Sequence, residues 1–201
     1  MLEATGLDCE RGGRTLFRRL GLSINKGDLV RVSGANGSGK TSLLRILCGL
    51  LAPGAGEVRW KGTPIGALRE EYSRQLVYLG HAPAIKDDLT AAENLGITCA
   101  LAGNAHSGSE IESALEGFGV PSAVQLKKLS QGQRRRAALA RLSVSKEIPL
   151  WLLDEPFASL DKAALKLTEE LIERQVANGG SVVYTAHLDD SLRAGRVVEL
   201  G

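Results

Sequence analysis

No run of apolar residues in this chain approaches the ~20 needed to span a bilayer, so any membrane role has to come through a partner. The N-terminus, Met1-Leu2-Glu3-Ala4-Thr5-Gly6, lacks the basic segment and apolar core of a secretory signal. Cysteine is scarce. Cys9, Cys48 and Cys99 are widely spaced and odd in number, without a CxxC pair or a Cys/His cluster, which excludes a zinc knuckle and reads as free thiols in a reducing compartment. Aromatic residues make up only 4%, so the core has to be mainly aliphatic. Neither sign of charge dominates: a net charge of +2 gives no bulk argument for nucleic acid. With 201 residues and 43% hydrophobic content, the chain suffices for one substantial core carrying a smaller subdomain.

Glycine, by contrast, is concentrated where it carries chemistry. Gly34-Ala35-Asn36-Gly37-Ser38-Gly39-Lys40-Thr41 follows the apolar run from Leu29 to Val32 and matches GxxxxGK[ST]. In that pattern glycines let successive backbone N–H groups turn inward and cradle phosphate oxygens. Lys40 is placed to reach the β- and γ-phosphates and Thr41 to ligate Mg²⁺, with Ser42 beside it. The residues from Thr41 to Leu51 are apolar at helical spacing, so the loop opens a helix whose N-terminus favours an anion.

Before the loop, alternation through Leu16-Phe17-Arg18-Arg19-Leu20 and turn signals at Gly12-Gly13 and Lys26-Gly27-Asp28 predict short antiparallel strands. Glu57 to Gly62 reads as another exposed strand and Gln75 to Leu79 as a compact apolar one. From about residue 85 to 146 the pattern turns helical. Thr90-Ala91-Ala92-Glu93 is a capping box, Ser109-Glu110-Ile111-Glu112 repeats it after a loop from Gly103 to Gly108, and a third helix begins near Ser130. Pro149 to Asp154 has the unbroken apolar character of a strand buried on both faces. A helix over about 162–177, a strand over 181–185 and a terminal strand over 196–200 follow. The expected fold is α/β: one domain over 1–201, with an antiparallel β subdomain and a helical subdomain inserted at about 85–146.

Asp154 and Glu155 end the buried strand, where phosphate-loop enzymes keep carboxylates beside the phosphates. Asp154 would hold Mg²⁺ and Glu155 polarise the attacking water; a solvated acidic pair is the plain alternative, and the phosphate loop weighs against it. Ser130-Gln131-Gly132-Gln133 stands open between two readings, a simple capped helix start and an anion site at that same helix start. Arg134-Arg135-Arg136, without interleaved aromatics, reads as a solvated helix face or as a match for an acidic groove on a partner rather than as a nucleic-acid surface.

These elements in this order resemble the nucleotide-binding subunit of ABC transporters. GANGSGKT corresponds to Walker A, LSQGQ to a variant LSGGQ signature, LWLLDE to Walker B, Ser159-Leu160-Asp161 to the D-loop and His187 to the switch histidine. The resemblance implies a P-loop core of ABC ATPase type, ATP and Mg²⁺ as cofactors, and catalysis by Glu155 and His187. It also implies a homodimer in which Ser130 and Gly132 of one copy close the ATP site of the other. Two positions depart from the family pattern. His81 stands where most relatives have a glutamine that contacts Mg²⁺, and Arg11 stands where an aromatic residue often meets adenine. A planar guanidinium can stack on a base; a solvated turn residue is the equal alternative.

Gly80 to Leu95, with Cys9 to Phe17, is similar to one subfamily, the ATP-binding export proteins of cytochrome c biogenesis. That similarity implies ATP hydrolysis coupled to integral membrane subunits at the cytoplasmic face of the inner membrane, with haem handled only indirectly through partners. No CxxCH is present, so the haem expectation rests on likeness alone. Another small-substrate exporter, a soluble ABC ATPase of ribosomes or DNA, and a non-hydrolysing scaffold remain as other classes. A single Walker A and the absence of sustained heptads weigh against the soluble class, and Glu155 with His187 against the scaffold.

Overall fold

The computed structural model describes residues 1–186, 192 and 194–201. In chain order the elements are β1 (Leu2–Arg11), β2 (Arg14–Ile24), β3 (Leu29–Gly34), α1 (Lys40–Leu47), β4 (Ala55–Trp60), β5 (Thr63–Pro64), the one-turn helices α2 (Ile65–Leu68) and α3 (Glu70–Ser73), and β6 (Leu76–Leu79). Then come α4 (Ala91–Leu101), α5 (Gly108–Gly117), α6 (Gln131–Leu139), β7 (Leu150–Leu153), α7 (Lys162–Ala177), β8 (Ser181–Thr185) and β9 (Arg196–Leu200). They form two compact units, one of Met1–Tyr78, Ile148–Glu155 and Gln175–Gly201, the other of Leu79–Glu147 and Pro156–Arg174.

The first unit holds two sheets. One runs β2-β1-β4-β5, with β1 antiparallel to both β2 and β4. The hairpin joining β1 to β2 turns on Gly12 (φ 58°) and Gly13 (φ 74°), between the facing pair Arg11 and Arg14. Two successive positive φ values match the right-handed twist of the strands and favour glycine at both positions. The strands are 10 and 11 residues long, not short as their interrupted alternation suggested. Register shifts between Ala4 and Glu10 let one continuous pairing absorb breaks that look in sequence like strand ends.

The other sheet has the order β6-β7-β8-β3-β9, with β3 parallel to β8 and β9, and β7 parallel to β8. Every residue of β7 and of β8 is buried, the burial expected of central parallel strands. Leu43, Leu44, Ile46 and Leu47 of α1 join Leu7, Val30, Val32, Leu152 and Val183 in one aliphatic core. At the edge of that core Tyr72 of α3 donates to the Leu47 carbonyl at 2.6 Å and tilts against Trp60 with ring centroids 5.6 Å apart.

The second unit packs Leu95, Cys99, Ile111, Leu115, Phe118 and Leu139 out of water. α4 begins with the expected capping box: Thr90 accepts from the Glu93 N–H, and Glu93 accepts from the Thr90 N–H at 2.8 Å. α5 starts two residues earlier than the Ser109 box predicted. Ser107 is the cap and Glu110 its partner, at 2.9 Å from the Ser107 N–H. Both serines have a glutamate three residues on, and the earlier box satisfies the orphan N–H groups of a longer helix. No helix among the described residues is long and apolar enough to cross a membrane.

Candidate functional site: a phosphate loop and its acidic partner

The carboxyl ends of β3, β7 and β8 supply the site, as open parallel sheets do where ligands bind. β3 ends at Gly34, whose φ of 148° and surroundings exclude a side chain: a Cβ there would lie 2.4 Å from the Leu200 carbonyl oxygen and 2.6 Å from Ser38 Oγ. The loop therefore folds tightly back on itself before Gly39 caps α1. Lys40, only 7% exposed, donates from Nζ to the carbonyl oxygens of Gly34 (2.7 Å) and Ala35 (3.1 Å), so its ammonium is held against the loop. A cavity of about 580 Å³ opens here, lined by Asn36, Gly37, Gly39, Lys40, Thr41 and Ser42, and also by Arg11, Leu16 and Glu155.

Asp154, 1% exposed, follows β7 directly. Its Oδ2 accepts from Thr41 Oγ1 at 2.8 Å, a contact that joins residues 113 positions apart. Its Oδ1 accepts from Thr185 Oγ1, also at 2.8 Å, and the same Thr185 oxygen accepts the Glu155 N–H at 2.8 Å. Glu155 itself takes a left-handed backbone, φ 49°, which for a residue with a side chain costs about 1–2 kcal/mol. Thr185 belongs to none of the motifs in the sequence. The one available signal was a hydroxyl ending an otherwise apolar strand, and only its neighbours in the sheet give that meaning. Burial pushes the Cys9 thiol up, while a hydrogen bond from Ser42 and the charge of Arg11 pull the other way.

The signature residues lie in the second unit. Ser130 caps α6 and forms a complete box: Ser130 Oγ accepts the Gln133 N–H at 3.2 Å, and Gln133 Oε1 accepts the Ser130 N–H at 2.9 Å. Ser130 and Gln131 are exposed, and a Cβ at Gly132 would meet none of the described residues within 4 Å. Asp161 caps the start of α7, where Oδ1 accepts the Ala164 N–H at 2.9 Å; that bond, aided by Arg136, holds its carboxyl below the usual range. Ser159 has φ 59°, and Leu160 lies between it and Asp161. His81 is exposed and, with Gln131, Arg134, Arg135 and Ser159, lines a cavity of about 570 Å³. His187 lies outside the described residues.

The expectation of a solvated face for the arginine run is overturned. Arg134 pairs with Asp87, Arg135 donates to the carbonyls of Gly80 and His81, and Arg136 pairs with Asp161. All three guanidinium groups hold segments of the same chain, because α6 turns consecutive residues toward different neighbours.

The ABC transporter family model matches residues 17–158 of the chain, from β2 through Walker B to Ala158. The chain belongs to the ABC transporter family. Within this ABC family it is 50% identical to the cytochrome c biogenesis ATP-binding export protein CcmA of Nitrosomonas europaea, over 93% of this chain and 88% of that protein. The CcmA protein of Dechloromonas aromatica is 47% identical over 100% of this chain and 98% of its own. Among solved structures, a dimeric ATP-binding cassette in a post-hydrolysis state, bound to ADP and Pi, superimposes with a TM-score of 0.86 at 22% identity, covering 100% of this chain and 94% of that one. That likeness shows the ABC cassette fold.

Proposed function

We propose that this chain is the Mg²⁺-dependent ATP-hydrolysing subunit of an ABC transporter complex, peripheral to the cytoplasmic face of the inner membrane. It acts in cytochrome c biogenesis, driving the export of haem or its release to a haem chaperone. The observation that carries the reading is the 2.8 Å bond between Thr41 of the phosphate loop and buried Asp154 at the end of β7. The CcmA relatives supply the pathway, and haem enters only as the cargo of the partners.

Thr41 and Asp154 are hard oxygen donors, and no group of three or more His, Cys, Asp or Glu side chains among the described residues could hold a metal. Mg²⁺ suits such a sparse set, since it takes one or two protein oxygens and completes its shell with phosphates and water. Bound there, it would neutralise phosphate charge. Lys40 and the loop N–H groups bind the phosphates, Arg11 stacks on the adenine, and Glu155 orients the attacking water with His187.

Two copies act together, Ser130 to Gln133 of each facing the nucleotide on the other. The open space at Gly132 supports this: a helical glycine costs about 1 kcal/mol against alanine, and none of the described residues crowds that position. Purification from native membranes tests the proposal. Hydrophobic subunits and bound haem should accompany the chain, and hydrolysis should require Mg²⁺; recovery with ribosomes or DNA alone defeats the transporter reading.

A further inference from the structure

β8 lies between β3 and β7, so the residue that ends it stands between the strand of the phosphate loop and the strand of the acidic pair. That residue is Thr185, fully buried, paired in register with Val32 on one side and adjacent to the Leu153–Tyr184 pair on the other. A threonine hydroxyl has one proton to give and lone pairs to receive. Thr185 uses both: its proton goes to Asp154 Oδ1, and its oxygen receives the Glu155 N–H.

From this geometry we infer that Thr185 is a positioning residue for both carboxylates at once. The inference rests on the proposed ATPase function. Its bond to Oδ1 turns the Asp154 carboxylate so that Oδ2 faces Thr41. Its bond to the Glu155 N–H holds that residue in its left-handed backbone and so sets the direction in which the Glu155 side chain leaves the strand. Packing alone does not call for the hydroxyl: Val182 and Val183 fill neighbouring positions of the same buried strand, and a buried hydroxyl is unfavourable unless it is hydrogen-bonded. Metal affinity and turnover therefore both depend on the Thr185 hydroxyl, and metal-free nucleotide affinity does not.

Thr185→Val removes the hydroxyl at nearly constant volume, whereas Thr185→Ser retains it. For the purified full chain, three quantities are compared: Mn²⁺ affinity in the presence of ADP by electron paramagnetic resonance, affinity for a fluorescent ATP analogue in EDTA, and kcat and KM for Mg·ATP. Outer-shell partners of metal ligands are typically worth 10- to 100-fold. Thr185→Val should weaken Mn²⁺ binding and lower kcat by about that range, with metal-free analogue binding within about twofold of wild type and Thr185→Ser near wild type throughout. If Thr185→Val does not fold, Thr185→Ala against Thr185→Ser makes the same comparison. Wild-type activity with an indifferent valine (or alanine) variant overturns this inference alone. A wild-type chain that neither binds the analogue nor hydrolyses ATP overturns the ATPase reading, and this inference with it.

Discussion

Arg135, in the middle of the signature helix, donates from Nη1 to the backbone carbonyl of His81 at 3.1 Å and to that of Gly80 at 2.9 Å. Arg135 is 8% exposed, so the two carbonyls and the charge share a site with little access to water. The loop that follows β6 is thereby fixed by its backbone, leaving the His81 ring exposed.

Arg135→Met should remove both bonds while keeping much of the aliphatic stem. Hydrogen bonds to charged groups contribute about 1.5–3 kcal/mol, and at this chain length each kcal/mol moves the melting temperature by about 2–4 °C. A loss of several degrees is expected in a thermal melt, with Arg135→Lys intermediate because an ammonium lacks the guanidinium fork. An unchanged melting temperature would show that the loop holds without Arg135.

Lys40→Ala and Thr41→Ala address the phosphate loop. Lys40→Ala should weaken binding of a fluorescent ATP analogue at least tenfold, about 1.4 kcal/mol, whether or not Mg²⁺ is present. Thr41→Ala should weaken it mainly when Mg²⁺ is present. Equal sensitivity of the two variants to Mg²⁺ would separate Thr41 from the metal.

Glu155→Gln and His187→Ala should each retain ATP binding and lose turnover. Removal of a positioned general base typically costs about 10²–10⁴-fold, so steady-state hydrolysis should fall by at least two orders of magnitude in Glu155→Gln. Turnover at the wild-type rate in either correctly assembled variant refutes that residue's role.

The capping carboxylates predict an acid-sensitive second unit. Glu93 and Glu110 are held below the ordinary glutamate value of 4.5, Glu93 first by the Thr90 N–H and Glu110 first by the Ser107 hydroxyl. A depressed carboxylate stabilises the fold above its unfolded pKa, and that stability is lost as pH falls through the folded one. Between about pH 5 and 3 the wild-type melting temperature should therefore fall more steeply than that of Glu93→Gln/Glu110→Gln, which keeps the carbonyl acceptors and loses the titration. Parallel pH profiles would remove the two boxes as the cause.

Where the deciding interaction is local and has no competitor nearby, the sequence by itself was sufficient. GxxxxGK[ST] after an apolar run specifies the loop from Gly34 to Thr41, since the motif is a backbone conformation with its own helix start. Thr90 with Glu93 and Ser130 with Gln133 are boxes closed within four residues, and the helix expected over about 162–177 forms over Lys162–Ala177. Where two local solutions compete, as Ser107 and Ser109 do for the start of α5, reading the sequence chose the wrong one.

Only the tertiary structure decided which strand ends meet. Strand order is not written in any one strand: β8 follows β7 in sequence and lies beside it, yet it also pairs with β3, some 150 residues earlier. That order brings Thr41, Asp154 and Thr185 within hydrogen-bond reach and makes an unremarkable threonine the link between two carboxylates. The arginine run teaches the same lesson. Charge count and spacing describe a solvated helix face, and only the packing around α6 gives Arg134, Arg135 and Arg136 their separate partners, because a side chain's environment is set by residues distant in the chain.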